Sequence, residues 1–330
     1  MDASDPLGPL AEKLLGTPEL TSLDLARETG LDLAQNRKLW RALGFPPVAE
    51  DERIFTRADV EVLRAVRALV EGDGVEPEDV VQVTRVIGQA LQRVAEAQVS
   101  VVAERLQRER AQPGAGTAIP GTPEDAKDPL QRAAALAPAL EQFLGYVWRR
   151  HLLAALRGRL ATPSATDRPL AVGFADLVGF TSLSQAIEPR ELARIVDRFE
   201  AVAYDHIPEH GGRVVKTIGD EVMFAADDGA VAAEIGLSLA EAYRAEPDLP
   251  GVRVGLASGP TLAWEGDLYG PTVNLASRLV NIAQPNTVLA GDALGEGLRD
   301  DPRFELRHLR PVRLQGIGRV RAWVVRRRAG

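Results

Sequence analysis

The 330-residue chain contains no cysteine, which removes disulfide scaffolds, thiolate zinc sites and cysteine nucleophiles from consideration. Histidine is scarce, with four residues, and methionine scarcer, with two. No apolar stretch is long enough and free enough of charge to cross a bilayer, so no membrane span is expected. The opening MDASDPLGPL does not read as a signal peptide, and a cytoplasmic location is the expectation. A basic surplus is missing too: 47 acidic residues outnumber 39 basic ones, for a net charge of −8. The excess is spread along the chain, with 24 acids and 20 bases through residue 166. Phosphate backbones demand a concentrated basic surface, so no nucleic-acid partner is expected. What is present is an ordinary globular composition, 26% charged and 45% hydrophobic, over a length that suits two domains.

The hydrophobic period changes midway. Residues 58–70, 79–108 and 129–160 carry apolar residues at helical spacing, with Leu144, Val147, Trp148, Leu152 and Leu156 on one face of the last. Between them, QPGAGTAIPGTPEDAKD (112–128) is rich in Gly, Pro and Ala and reads as a mobile loop. ATPSATDR (161–168) reads as a linker. Beyond it, strand LAVGFADL (170–177), helix 189–206, hairpin 211–226, helix 229–245, strand 252–259, helix 271–283 and strand 286–291 interleave, with two further short strands near 303–325. The expectation is an α+β chain: an all-α domain over 1–160, then a ferredoxin-like βαββαβ domain over 169–330.

Three segments of the second half carry chemistry. In Gly173-Phe174-Ala175-Asp176-Leu177-Val178-Gly179-Phe180-Thr181 an acid leaves a buried strand ahead of a helix that Thr181 can cap. That arrangement offers Val178, Gly179, Phe180 and Thr181 to an anion and the Asp176 carboxylate to a metal. In Lys216-Thr217-Ile218-Gly219-Asp220-Glu221 an Asp occupies a tight turn that Gly219 permits. In the stretch from Asp267 through Tyr269-Gly270-Pro271 to Asn274 and Arg278, Pro271 suits a helix start. Asn274 and Arg278, four apart, share one face, where an amide and a guanidinium suit a sugar oxygen and a phosphate. Each segment alone has a bland reading: a capped strand end, a solvated turn, a polar stripe.

Together, in this order, they resemble the catalytic domain of class III nucleotidyl cyclases, over roughly 169–325. The resemblance implies a phosphorus–oxygen lyase that forms cyclic AMP from ATP in a head-to-tail homodimer with sites at the interface. It implies that Asp176 and Asp220 hold two divalent ions, Mg²⁺ or Mn²⁺. It makes Lys216 and Asp267 the purine readers, Asn274 the ribose-orienting residue and Arg278 the transition-state residue. A lysine donor with an aspartate acceptor matches the N1 acceptor and 6-amino donor of adenine, and guanine reverses that pattern. The family's triphosphate lysine near the C-terminus is replaced by Ile317, with Arg313, Arg319 or the backbone alone as candidate substitutes. The competing reading is an idle nucleotide-binding or transcriptional protein that retains the fold.

Residues 22–68 resemble the helix-turn-helix that opens MerR-type regulators, yet 1–50 holds eight acids against five bases. A helical packing module fits that balance better than DNA binding. The whole first half resembles the N-terminal regulatory domain of actinobacterial cyclases, including the pH-sensing autoinhibited type. That resemblance implies a regulatory role and makes a lipid or another small molecule a candidate effector. Within Trp148-Arg149-Arg150-His151-Leu152, His151 is the candidate sensor, because adjacent arginines disfavour its charged form. The four histidines, His151, His206, His210 and His308, show no metal-ligand spacing, since Pro208 interrupts the helix between His206 and His210.

Overall fold

In the computed structural model the chain divides into two compact units, Met1–Leu160 and Ala161–Gly330. Residues 7–72, 75–111, 129–161, 169–246 and 249–328 are described. The segment read as a mobile loop (112–128) and residues 162–168 of the expected linker lie outside them. Ala161, expected in the linker, instead closes a helix.

The first unit is helical: α1 (Gly8–Leu15), α2 (Ser22–Thr29), α3 (Leu33–Ala42), α4 (Arg57–Gly72), α5 (Pro77–Ala111) and α6 (Pro129–Ala161). Thr21 and Asp32 each form a reciprocal capping box with the third helical residue, Asp24 and Gln35. Caps of this kind contribute about 1 kcal/mol each and fix where α2 and α3 begin. A small core of Leu20, Leu25, Phe55 and Val60, with Trp40 against it, joins α2, α3 and α4. Among their described side chains the two long helices bury little. Phe143, Trp148, Leu152 and Leu156 of α6 are all exposed.

The second unit is built on a seven-stranded sheet. In chain order it comprises β1 (Pro169–Leu177), α7 (Phe180–Ala186), α8 (Pro189–Glu209), β2 (Arg213–Ile218), β3 (Glu221–Ala226), α9 (Gly229–Ala245) and β4 (Val252–Pro260). There follow β5 (Leu262–Trp264), β6 (Asp267–Tyr269), α10 (Pro271–Ile282), β7 (Thr287–Gly291), α11 (Asp292–Gly297), β8 (Phe304–His308), β9 (Val312–Leu314), β10 (Gly318–Val320) and β11 (Ala322–Arg327). The order is β2-β3-β1-β4-β7-β11-β8, whose first four strands, all antiparallel, are the expected ferredoxin-like arrangement. Two ribbons, β5–β6 and β9–β10, stand apart from it.

Side-chain alternation along β1 sorts its residues between two cores. Ala171, Ala175 and Leu177 pack with Phe199 and Ile207 of α8 and Tyr243 of α9. Val172 and Phe174 pack with Ala276 and Val280 of α10. Both faces are therefore covered, which is why β1 reads as a nearly continuous apolar run. Gly255 on β4 lets α10 sit close, because a Cβ there would lie 2.3 Å from the Val280 nitrogen and 2.4 Å from the Ala276 carbonyl oxygen.

Candidate active site

The alternation that sorts the core also collects the acids. Asp176 follows Val172 and Phe174 on the α10 face, and its cross-strand partners are Glu221 on β3 and Arg253 on β4. All three sit two pairs beyond Phe174 and Gly255, where the apolar packing gives way to charge. Gly219, with φ 63°, turns the chain between β2 and β3 and brings Asp220 alongside. The Leu177 N–H donates to the Asp220 carbonyl oxygen at 3.1 Å, a main-chain tie that helps set the two aspartates side by side.

Electrostatics bear the crowding out. Burial raises the pKa of Asp176 above the ordinary carboxylate range; Arg253 opposes the shift and the charge of Asp220 adds to it. The Arg253 guanidinium donates to the Asp176 carboxylate at 2.5 Å, with side chains 28% and 16% exposed. Glu221 goes further: burial first, then Asp176 and Asp220, push it up to about 7, with Lys216 pulling the other way. Three carboxylates sharing one arginine and one lysine are a set of hard oxygen donors short of positive charge. Such a set fits Mg²⁺ or Mn²⁺.

Neither Glu221 nor Arg253 stood out as a site residue in the sequence. For Glu221 the sign is definite. Its raised pKa means that folding loses stability as pH climbs from the unfolded value near 4.5 through about 7. Glu221→Gln is therefore expected to stabilise the metal-free protein at pH 8 by about 1–2 kcal/mol after solvent screening, and not at pH 4. Thermal melts in chelator at the two pH values check this; equal shifts at both would remove the charge explanation.

Lys216 on β2 forms an ion pair with Asp267 on β6, and the second Asp267 oxygen accepts from the Leu268 N–H at 2.8 Å. The expected base readers thus meet within one chain. Asn274 and Arg278 do not join the acids in that way. Both lie exposed on α10, while Thr272, Ala276, Leu279 and Val280 face the sheet.

The turn after β1 needs two corrections. The Val178 N–H donates to Gly251 O at 2.8 Å, so its amide is not free for an anion. Thr181 does not cap α7; Gly179, at φ 74°, occupies the N-cap with no side-chain bond. A left-handed cap position suits glycine and leaves no role there for a threonine hydroxyl. The N–H groups of Phe180 and Thr181 find no backbone acceptor among the described residues. Ile317 is exposed at the tip of the β9–β10 ribbon, where Arg313 and Arg319 are direct cross-strand partners. In the first unit, His151 is exposed on α6.

Residues 2–156 match the adenylate cyclase regulatory domain, and residues 163–327 match the adenylate and guanylate cyclase catalytic domain. The adenylate cyclase of Streptomyces coelicolor is 39% identical, over 100% of this chain and 93% of that protein. The chain belongs to the class III adenylate cyclase family. Other family members similar to it are the adenylate cyclase of Glutamicibacter nicotianae, 34% identical over 97% of this chain and 82% of that one. A pH-sensitive adenylate cyclase of Mycobacterium tuberculosis is 33% identical over 94% and 79%. Among solved structures, the guanylate cyclase domain from Catenaria anguillulae in complex with GTP superimposes with TM-score 0.47 at 22% identity, over 50% of this chain and 100% of that one. The helix-turn-helix-like segment 22–68 of this family member lies inside the regulatory-domain match. No helix among its described residues is long and apolar enough to cross a membrane.

Proposed function

We propose that the protein converts ATP to 3′,5′-cyclic AMP and pyrophosphate at two equivalent sites of a homodimer, under control of its N-terminal unit. The observation that carries this reading is the convergence of Asp176 and Asp220 at the end of β1, in a chain alignable end to end with an adenylate cyclase. Asp176 and Asp220 would hold the divalent ions. Two such ions supply activation of the ribose 3′-hydroxyl and neutralisation of triphosphate charge. The free amides of Phe180 and Thr181 face phosphate oxygens. Lys216 donates to N1 of adenine while Asp267 accepts from its 6-amino group. Arg278 and Asn274, presented outward on α10, serve the site of the partner subunit. There the guanidinium stabilises charge building on the α-phosphate and the amide orients the ribose.

The missing triphosphate lysine has a substitute in the β9–β10 ribbon. Like charges directly opposite on a two-stranded ribbon repel, and an anion between Arg313 and Arg319 relieves that repulsion. Arg313→Ala with Arg319→Ala is expected to raise KM for ATP by about tenfold, one lost charge-assisted contact, with a smaller change in kcat. Unchanged KM would show that the ribbon takes no part.

Support for a regulatory ligand comes from a cavity of about 140 Å³ in the first unit, lined by Leu25, Leu39, Trp40, Phe55 and Leu63. The buried amide of Asn36 borders it with neither polar atom hydrogen-bonded. An apolar pocket with one unmet amide suits a small amphipathic molecule. The decisive assay is cyclic AMP formation by the full chain from ATP and from GTP, with Mg²⁺ or Mn²⁺, across pH 5.5–8 and beside His151→Ala. Turnover of ATP well above GTP is expected. No product under any condition would favour the idle fold, and a pH profile unaltered by His151→Ala would remove that histidine as sensor.

A further inference from the structure

α8 does not end where a proline should end it. The helix runs through Pro208 to Glu209, although the proline has no N–H to give to the preceding turn. The Gly212 N–H then closes the turn on Ile207 O at 3.0 Å. His206, Glu209 and His210 consequently fall at helical positions i, i+3 and i+4, on one face. One ligand atom from each lies within 4.8 Å of the others. This corrects the expectation that Pro208 interrupts the helix between the two histidines.

We propose that His206, Glu209 and His210 form a second metal site, for a transition-metal dication of the zinc type, separate from the carboxylates of the active site. Three features converge. First, the donors are two imidazoles and one carboxylate, a set that suits Zn²⁺, Co²⁺, Ni²⁺ or Cu²⁺ rather than Mg²⁺. Second, His206 is already oriented: its Nδ1 is 2.7 Å from the Oγ of Ser238, a buried residue on α9. With Nδ1 committed, Nε2 is the nitrogen left for a metal, and a hydrogen bond at the far ring nitrogen is how metal-binding histidines are held. Third, the gap to close is small. Tetrahedral zinc with bonds near 2.1 Å sets its donor atoms about 3.3–3.5 Å apart. Glu209 is exposed and the two histidines half-buried, so rotamer changes cover the difference. Three protein ligands leave a fourth position for water.

The site's place in the fold gives it consequence. The last turn of α8 leads through Gly211, at φ 84°, and Gly212 into β2, the strand that carries Lys216 and ends at the Asp220 turn. Zinc bridging that turn pins the entry to β2 without touching the catalytic carboxylates.

The test uses the full, untagged chain in millimolar Mg²⁺. Zn²⁺ binding is followed by calorimetry, and site geometry by the visible spectrum of Co²⁺. About one Zn²⁺ per chain is expected, retained in Asp220→Asn and accompanied by a higher melting temperature. Glu209→Ala, at an exposed position, and His210→Ala should each weaken binding by at least ~100-fold, and Ser238→Ala by about 10–100-fold. Circular dichroism confirms that each variant is folded, and Glu209→Ala keeps the test valid if a histidine variant is not. Absence of Zn²⁺ binding in the parent overturns the proposal. So does binding that survives Glu209→Ala and His210→Ala, or that disappears in Asp220→Asn.

Discussion

Asp220→Asn is expected to slow cyclic AMP formation by at least ~10³-fold, about 4 kcal/mol of barrier, while the fold survives. The side chain loses the charge proposed to hold a metal, yet the features that shape the turn remain. Gly219 still supplies the positive φ, and the bond from the Leu177 N–H goes to the Asp220 main-chain carbonyl, which the substitution leaves alone. Removing Asp176 is a less clean experiment. Its carboxylate is the ion-pair partner of Arg253, whose Nε is already buried without an acceptor, so Asp176→Asn strands a cation and costs stability as well as activity. Asp220→Asn should also abolish any difference between Mg²⁺ and chelator in a thermal melt. Activity within about tenfold of the parent, near 1.4 kcal/mol, would show that Asp220 holds no essential ion.

Mixing Asp220→Asn with Arg278→Ala is expected to restore activity that neither has alone. On the shared-site reading, each site draws its acids from one subunit and its guanidinium from the other. Random exchange makes half of the dimers mixed, and each mixed dimer has one intact site of two, so about a quarter of the parent's turnover returns. The reading rests on the outward placement of Arg278 and Asn274 on α10, away from the sheet that bears the acids. Subunit exchange must be verified independently, for instance by fluorescence transfer between labelled chains. No recovery once exchange is proven would place all the catalytic groups of a site within one chain.

How much of this was legible in the sequence depended on length and period. β1, the hairpin, α9 and α10 were readable because each spans enough residues for an apolar pattern to repeat. The β5–β6 and β9–β10 ribbons were not, since three-residue strands are too short to show alternation. Asp176 and Asp220 were visible as motifs, but Glu221 passed as one more charge in a turn. What reveals it is parity: it shares the face of Met223 and Ala225, opposite Asp176. Arg253 had the same signal available, as a lone charge two residues before Gly255 on a strand of small and apolar residues. The cap assigned to Thr181 failed because a glycine two residues earlier offered a conformation that no hydroxyl could better. Pro208 misled for a different reason, since a proline costs a helix a hydrogen bond and can kink it without ending it.

Lys216 and Asp267 are ion-pair partners in the fold, and on the proposed reading of the site this bears on how a base is chosen. On that reading a purine competes for donors and acceptors that the two side chains already share, so recognition would be an exchange of partners. Adenine offers an acceptor to the ammonium and a donor to the carboxylate, and both groups leave the exchange as well satisfied as they entered it. Guanine presents two donors and an acceptor in the wrong places, and the latch is better left shut. Selection of this kind would work by default: the wrong base is turned away by an interaction it fails to replace.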